Sequence, residues 1–274
     1  MTDKLHEIFT AKKESIATMM AKIAPAVMRD MAQARQNNGR KFYSLFQSLR
    51  AASNGKTLPL IAEIKKASPA HGVIKDDFSP INLAQDYITA GAGALSVLTE
   101  QQWFQGSPQY LKDIAKMTQK PILQKDFIFC DYQIYHAVAI GADAILLILS
   151  YLDEKTAHQL ENMAMAMGLE VLLEAHDEND IARANQMASP LVGVNNRNLH
   201  DLSVSLTHGE KMLNMISDKK LAIAESGLAS PIDVKKMWQA GARGFLIGAY
   251  FMQQADVFTA CHQFIHHTNI ILFS

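Results

Sequence analysis

From Pro59 onward, eight short apolar runs alternate with eight segments of helix length, and this alternation constrains the fold more than anything else in the chain. The strand-like runs are 60–64, 94–98, 121–125, 144–149, 170–174, 191–195, 221–225 and 244–247. The amphipathic stretches between and after them are 80–90, 108–117, 132–140, 154–167, 177–186, 207–216, 231–240 and 251–266. Pro80, Pro108 and Pro231 stand where helices should begin, and Gly91, Gly141 and Gly241 where they should end, as each residue prefers. Strand–helix alternation without a break predicts a parallel sheet, and eight such units predict a closed (β/α)8 barrel of the TIM type. The competing architecture is a doubly wound open sheet. It calls for a glycine-rich turn after the first strand, where this chain has Ser68-Pro69.

The first fifty-odd residues read differently. Residues 3–34 are expected to form one helix, with Ile8, Phe9, Ile16, Met19 and Met20 at helical spacing, ended by Gln36-Asn37-Asn38-Gly39. A second short helix is expected over 42–49 and a loop over 51–56. No low-complexity stretch or linker divides the rest. The expectation is one domain, 1–274, carrying residues 1–56 as a helical N-terminal extension. The apolar end, 269–274, either packs under the barrel or frays.

A hydrophobic content of 49% leaves ample material for a core, and a net charge of −1 gives no reason to expect nucleic acid or an anionic membrane as partner. Cys130 and Cys261 form neither a disulfide framework nor a zinc pattern. No apolar run reaches membrane-span length and no signal-peptide core opens the chain, so a cytoplasmic protein is expected.

In such a barrel, catalytic groups come from the C-terminal ends of the strands. Glu63 and Lys65 lie two residues apart at the end of the first strand and so share a face. Opposite charges there are costly unless they are paired. Lys125 ends the third strand and Glu174 the fifth; the sixth adds Asn195 and Arg197, and the seventh adds Glu225 and Ser226. Each has an ordinary reading taken alone. Lys125 suits a solvated loop, Asn195 to Asn198 suit a turn, and His176 suits a loop or packing histidine better than a base. Glu174 could serve the next helix dipole, although Asp177 is the better cap. Recurrence on five strand ends is what points to a site. Gly227 and Gly248, after the seventh and eighth strands, stand where barrels often seat phosphate on backbone N–H groups, with Ser68 as a further donor. Crowded or desolvated lysines are expected to have lowered pKa values. The ten histidines show no metal-ligand spacing.

As a set, IAEIKKASPAHG (61–72), ALSVLTEQQWFQGS (94–107), PILQKDFIFCDYQI (121–134), LEVLLEAHDEND (169–180), VGVNNRNL (192–199), IAESG (223–227) and FLIGAYFM (245–252) closely resemble the indole-3-glycerol-phosphate synthases. The resemblance implies closure of 1-(2-carboxyphenylamino)-1-deoxyribulose 5-phosphate to an indole, with loss of CO2 and water. It also implies the roles. Lys125 is the general acid for ring closure and Glu174 the acid/base of dehydration. Lys65, held by Glu63, binds the departing carboxylate, while Asn195 and Glu225 orient hydroxyls and lysines. Ser68, Arg197, Ser226, Gly227, Gly248 and Ala249 form the phosphate side, and Phe104, Phe127, Leu146 and Leu199 the anthranilate pocket. No cofactor or metal is called for, because the iminium formed on cyclisation is itself the electron sink. The partners implied are a small phosphosugar–anthranilate substrate, with no nucleic acid and no membrane, and a monomer is expected. Gln124, Ala224 and Ala249-Tyr250 depart from the residues common in that family. Another phosphosugar isomerase or lyase of the same fold, or a non-catalytic phosphosugar-binding module, remains the alternative.

Overall fold

A computed structural model describes residues 4–38, 41–198 and 202–274. The chain opens with α1 (Lys4–Lys22), α2 (Pro25–Asn38) and α3 (Leu45–Asn54). There follow β1 (Leu60–Ile64), the two-residue strands β2 (Ala67–Ser68) and β3 (Gly72–Val73), α4 (Pro80–Ala90), β4 (Ala94–Leu98), α5 (Pro108–Met117), β5 (Ile122–Lys125) and α6 (Asp131–Ile140). The second half runs β6 (Ala144–Ile148), α7 (Glu154–Ala166), β7 (Glu170–Ala175), α8 (Glu178–Gln186), β8 (Leu191–Asn195), α9 (Leu206–Leu213), β9 (Leu221–Glu225), α10 (Pro231–Gln239), β10 (Gly244–Ile247), α11 (Ala249–Met252) and α12 (Val257–Phe273). Among the described residues no helix is long and apolar enough to cross a membrane.

The eight long strands close in the order β1-β4-β5-β6-β7-β8-β9-β10, all parallel, with β10 returning to β1 through Leu60 opposite Phe245. This is the TIM barrel that the alternation calls for. Period-2 geometry sorts the side chains. Ile61, Leu123, Leu146, Leu172, Ile223 and Leu246 turn inward and fill the barrel, while Leu60, Leu95, Ile145, Val171 and Phe245 turn outward beneath the helices. Register then sets the strand ends level with one another. Glu174 of β7 stands beside Gly193 of β8, and Asn195 of β8 beside Glu225 of β9.

The helical extension departs from the expected outline. One long helix does not form over 3–34; the chain breaks at Ile23 and Ala24, because Pro25 takes the first position of α2 and disfavours helical geometry in the residue before it. The next helix begins at Leu45 rather than 42, since Ser44 caps it by accepting from Gln47 N at 3.0 Å, and it continues through the expected loop to Asn54. The expected helix over 251–266 is also divided. α11 stops at Met252, and α12 restarts behind its cap Asp256, which accepts from Thr259 N at 2.9 Å. The apolar end does not fray: it completes α12, where Phe273 meets Trp238 edge-on and Asn269 accepts the Leu58 N–H at 2.8 Å.

The three extension helices hold different parts of the barrel. Leu45 and Leu49 of α3 join the inner core, and Ser48 Oγ donates to Gly93 O at 2.7 Å, beside the N-terminal ends of the strands. α2 lies along α6. α1 reaches the opposite end, where Phe9 is fully buried, stacked on Tyr151 and edge-on to Phe127 at 5.1 Å. Lys12 pairs with Asp126 at 2.7 Å. Phe9→Ala is expected to weaken the docking of α1 by about 3 kcal/mol. Amide hydrogen exchange would then quicken across Lys4–Lys22 while the barrel strands keep their protection; unchanged exchange in α1 would contradict the account.

Candidate active site

At the C-terminal mouth of the barrel, inward-facing strand-end residues and the loops after them enclose a cavity of about 500 Å³. The Lys125 ammonium is its electrostatic centre. It donates to Glu174 Oε2 at 2.7 Å and to Glu225 Oε2 at 2.6 Å, bringing the ends of β5, β7 and β9 together. Lys65 pairs directly with Glu63, as two residues sharing a strand-end face should. Asn195 Nδ2 donates to Glu174 Oε1 at 3.0 Å.

Burial by itself would strip Lys125 of its proton, but the charges of Glu174, Glu225 and Glu63 outweigh it and hold its pKa above the ordinary value. The expected lowering of lysine pKa therefore does not hold for Lys125: its neighbours are carboxylates, and opposite charge beats desolvation. Burial likewise acts to raise Glu174, yet the Lys125 charge and the His176 hydrogen bond keep it ionised well below the usual range. Glu225 goes the other way. Burial and the charge of Glu174 push it up to about 7 despite Lys125. Two carboxylates sharing one ammonium cannot both be fully compensated, and their basicities separate.

Around this cluster the cavity has two kinds of wall. Phe104, Phe127 and Leu146 join Ile8, Leu98 and Ile148 in an apolar side, with the Phe104 and Phe127 rings 6.0 Å apart. Leu199, expected here, lies outside the described residues. Ser68, Arg197, Ser226, Gly227, Gly248 and Ala249 all line the same cavity. Ser226 and Gly227 both have positive φ, 65° and 73°, so the chain turns sharply off the end of β9. For a serine that backbone costs of order 1–3 kcal/mol and must be held by its surroundings. Asn196 does part of this, donating from Nδ2 to Ser226 O at 2.9 Å and tying the loop after β8 to the loop after β9. Gly248 packs so closely on Glu63 that no Cβ would fit, which explains a glycine there without any ligand. Gly193 is required in the same way, because the Glu225 side chain lies across it.

Several site residues were not foreseen. Glu100, buried after β4, accepts the N–H groups of Gln102, Trp103 and Phe104 at 2.7–3.0 Å and so folds the loop that carries Phe104. Asp126 accepts from Thr99 Oγ1 at 2.5 Å as well as pairing with Lys12. Ile8 brings α1 into the cavity wall. His176 lies in the loop between β7 and α8, as expected, but it is more than a packing histidine: its Nε2 lies 2.8 Å from Glu174 Oε1. The two-residue spacing that joined Glu63 to Lys65 was available for Glu174 and His176 also. Asp177 is the α8 cap, accepting from Asp180 N at 2.8 Å, which leaves Glu174 to the cavity.

A closed parallel barrel with paired lysines and glutamates at its mouth, beside an aromatic-lined hollow, has the architecture of the barrel enzymes. Comparison with known proteins narrows this. A sequence profile for indole-3-glycerol phosphate synthase matches residues 5–264. The chain is 43% identical to an indole-3-glycerol phosphate synthase of Chromobacterium violaceum, over 93% of this chain and 95% of that one. It is 41% identical to one of Polaromonas sp. (93% and 96%) and 40% identical to one of Neisseria meningitidis serogroup C (94% and 97%). The tryptophan synthase α subunit of Legionella pneumophila superposes with a TM-score of 0.59 at 13% identity, covering 82% of this chain and 97% of that one, a likeness of fold alone. The chain belongs to the indole-3-glycerol phosphate synthase family, carboxy-lyases of tryptophan biosynthesis.

The raised Glu225 has a consequence for stability. A carboxyl whose pKa rises from 4.5 unfolded to about 7 folded stabilises the fold fully below pH 4.5, and this contribution is lost as pH climbs through 7. Glu225→Gln should flatten that part of the curve. Thermal midpoints measured from pH 4.5 to 7 should fall less in the variant than in the wild type, and parallel curves would refute the assignment.

Proposed function

We propose that this chain closes 1-(2-carboxyphenylamino)-1-deoxyribulose 5-phosphate to indole-3-glycerol phosphate with its own side chains as the acids and bases. The observation that carries the reading is the Lys125 ammonium, held between Glu174 and Glu225 beside the Phe104–Phe127 hollow. A proton donor must arrive protonated, and the carboxylates around Lys125 keep it so. As the ring carbon attacks the ribulose carbonyl, Lys125 protonates the oxygen on which negative charge develops, where a fixed cation in a water-poor site acts strongly. The bond to the carboxylate then breaks, its electron pair returns to the ring system through the iminium, and CO2 departs. Lys65, paired with Glu63, binds that carboxylate before it leaves. Water is lost last, with Glu174 exchanging the proton that restores aromaticity.

Asn195 and Glu225 orient substrate hydroxyls and the lysine. The phosphate belongs with Ser68, Arg197, Ser226, Gly227, Gly248 and Ala249, and the anthranilate ring with Phe104, Phe127 and Leu146. Arg197 supplies the positive charge on that side; its Nη1 is steadied by Leu202 O at 2.7 Å. On this reading the protein is a monomer of one barrel unit with residues 1–56 as its extension, acting in the cytoplasm on a small molecule and without nucleic acid.

Mixing the purified protein with the substrate and following indole fluorescence should show turnover. Lys125→Ala should abolish it while leaving substrate binding measurable by calorimetry, and full activity in this variant would remove the assignment of the acid. Glu174→Gln should slow dehydration by about 10²-fold or more, in keeping with general acid–base catalysis. A cyclised, still hydrated intermediate would then accumulate in rapid-quench samples; its absence at an unchanged rate would count against the role given to Glu174.

A further inference from the structure

His176 directly follows β7, two residues after Glu174, and does not line the cavity; its side chain is 11% exposed and sits against the glutamate. Glu174 Oε1 receives His176 Nε2 at 2.8 Å and Asn195 Nδ2 at 3.0 Å, and its other oxygen receives Lys125. An ionised carboxylate only accepts, so Nε2 of the imidazole must carry the hydrogen. The backbone on either side of the ring is anchored separately. His176 N donates to Asp180 Oδ2 at 3.0 Å on α8, and His208 Nε2 on α9 meets His176 O at 3.2 Å. The remaining ring nitrogen, Nδ1, is buried with no hydrogen-bond partner among the described residues. Among the described residues the ring therefore makes a single polar contact, and that contact is with Glu174.

We propose that His176 is a positioning residue for the dehydration step. Through Nε2 it holds Glu174 in the orientation from which the carboxylate exchanges its proton with the cyclised intermediate, and its charge sets the pH below which Glu174 can no longer accept that proton. The proposal rests on Glu174 being the acid/base of dehydration. No atom is gained or lost at His176 itself, which acts by hydrogen bond and by field. The groups facing the ring settle the sign of the effect. Burial disfavours the imidazolium, but Glu174 on β7, Asp180 on α8 and Glu225 on β9 favour it more, so the ring holds its proton above the usual histidine range. Lys125 stands on the far side of Glu174, Asp177 is engaged as the α8 cap, and His208 reaches the carbonyl of His176 rather than the ring. A charged or donating His176 makes Glu174 a weaker base that stays ionised to lower pH, and removing it lets Glu174 take up a proton at higher pH.

The test is the single-turnover dehydration rate against pH, read as decay of the cyclised intermediate, with steady-state KM alongside, for the wild type, His176→Leu and His176→Gln. His176→Leu should lower the rate by about tenfold, part of the 10²–10⁴-fold that a placed acid–base group typically supplies. KM should stay within about twofold, because in the proposal His176 touches no substrate. The acidic limb of the profile should move to higher pH. His176→Gln, whose amide can still donate, should recover most of the rate at the optimum while its acidic limb stays displaced. An acidic limb unmoved in both variants overturns the proposal, as does a parallel loss of kcat, KM and thermal midpoint with the limb in place, which is what a packing role would give. Glu174→Gln in the same assay separates the two levels. Blocked dehydration there with unaltered His176 variants confines the failure to His176, whereas full dehydration in Glu174→Gln removes both assignments.

Discussion

One ammonium shared between two carboxylates organises the mouth of this barrel. Lys125, Glu174 and Glu225 are all taken out of water, and each is tolerable only in the presence of the others. Removing one member of such a group leaves a buried charge uncompensated, which costs about 3–5 kcal/mol. That cost requires the ends of β5, β7 and β9 to stand at matching height, and the parallel register provides it, with Glu174 level with Gly193 and Asn195 level with Glu225. Gly193 follows from the same constraint, because any side chain there would occupy the place of the Glu225 carboxylate. The arrangement also divides labour between the acids: Glu174 stays ionised, while Glu225 is pushed up to about 7.

Around this centre the structure spends its buried polar groups on holding loops rather than on packing. Glu100 gathers three backbone N–H groups to fold the loop bearing Phe104, and Asn196 binds the loop after β8 to Ser226. Ala67 N donates to Phe104 O at 3.2 Å and joins the first loop to the second. The extension completes the enclosure from outside: α3 sits beside the strand N-termini, and α1 brings Ile8, Phe9 and the Lys12–Asp126 pair to the catalytic end. A cavity assembled this way keeps its electrostatic centre away from bulk water, where a charge–charge interaction is worth most.

Much of this was legible in the residues. The strand positions read from apolar runs agree with the barrel to within a residue or so, because a parallel strand buried on both faces is apolar throughout and turn residues bound it at once. The polar strand ends were legible for the same reason: Lys125 and Glu174 stand at the ends of runs that are otherwise largely apolar. The extension was misread where one local signal outweighed a periodic one. Pro25 divides a pattern whose apolar spacing continues across it, and Ser44 moves a helix start that hydrophobicity alone places earlier. His176 was set aside because a lone histidine near a helix start has many ordinary roles, and only its distance to Glu174 distinguishes them. The pKa of Lys125 was misjudged because desolvation can be read from a sequence position, whereas the carboxylates that reverse its effect come from β7 and β9, 49 and 100 residues away.

By itself the sequence determined the number and order of the strands, their burial, the strand ends that carry charge, and through its motifs the family. These follow from period, turn chemistry and local residue type, which act over a few neighbouring residues. Only the tertiary structure decided which charges pair, that α1 closes the catalytic end, that Asn196 and Glu100 hold the loops, and that Glu174 and Glu225 differ in basicity. Those outcomes depend on distances of about 3 Å between groups far apart in the chain, and it is barrel closure that sets such distances.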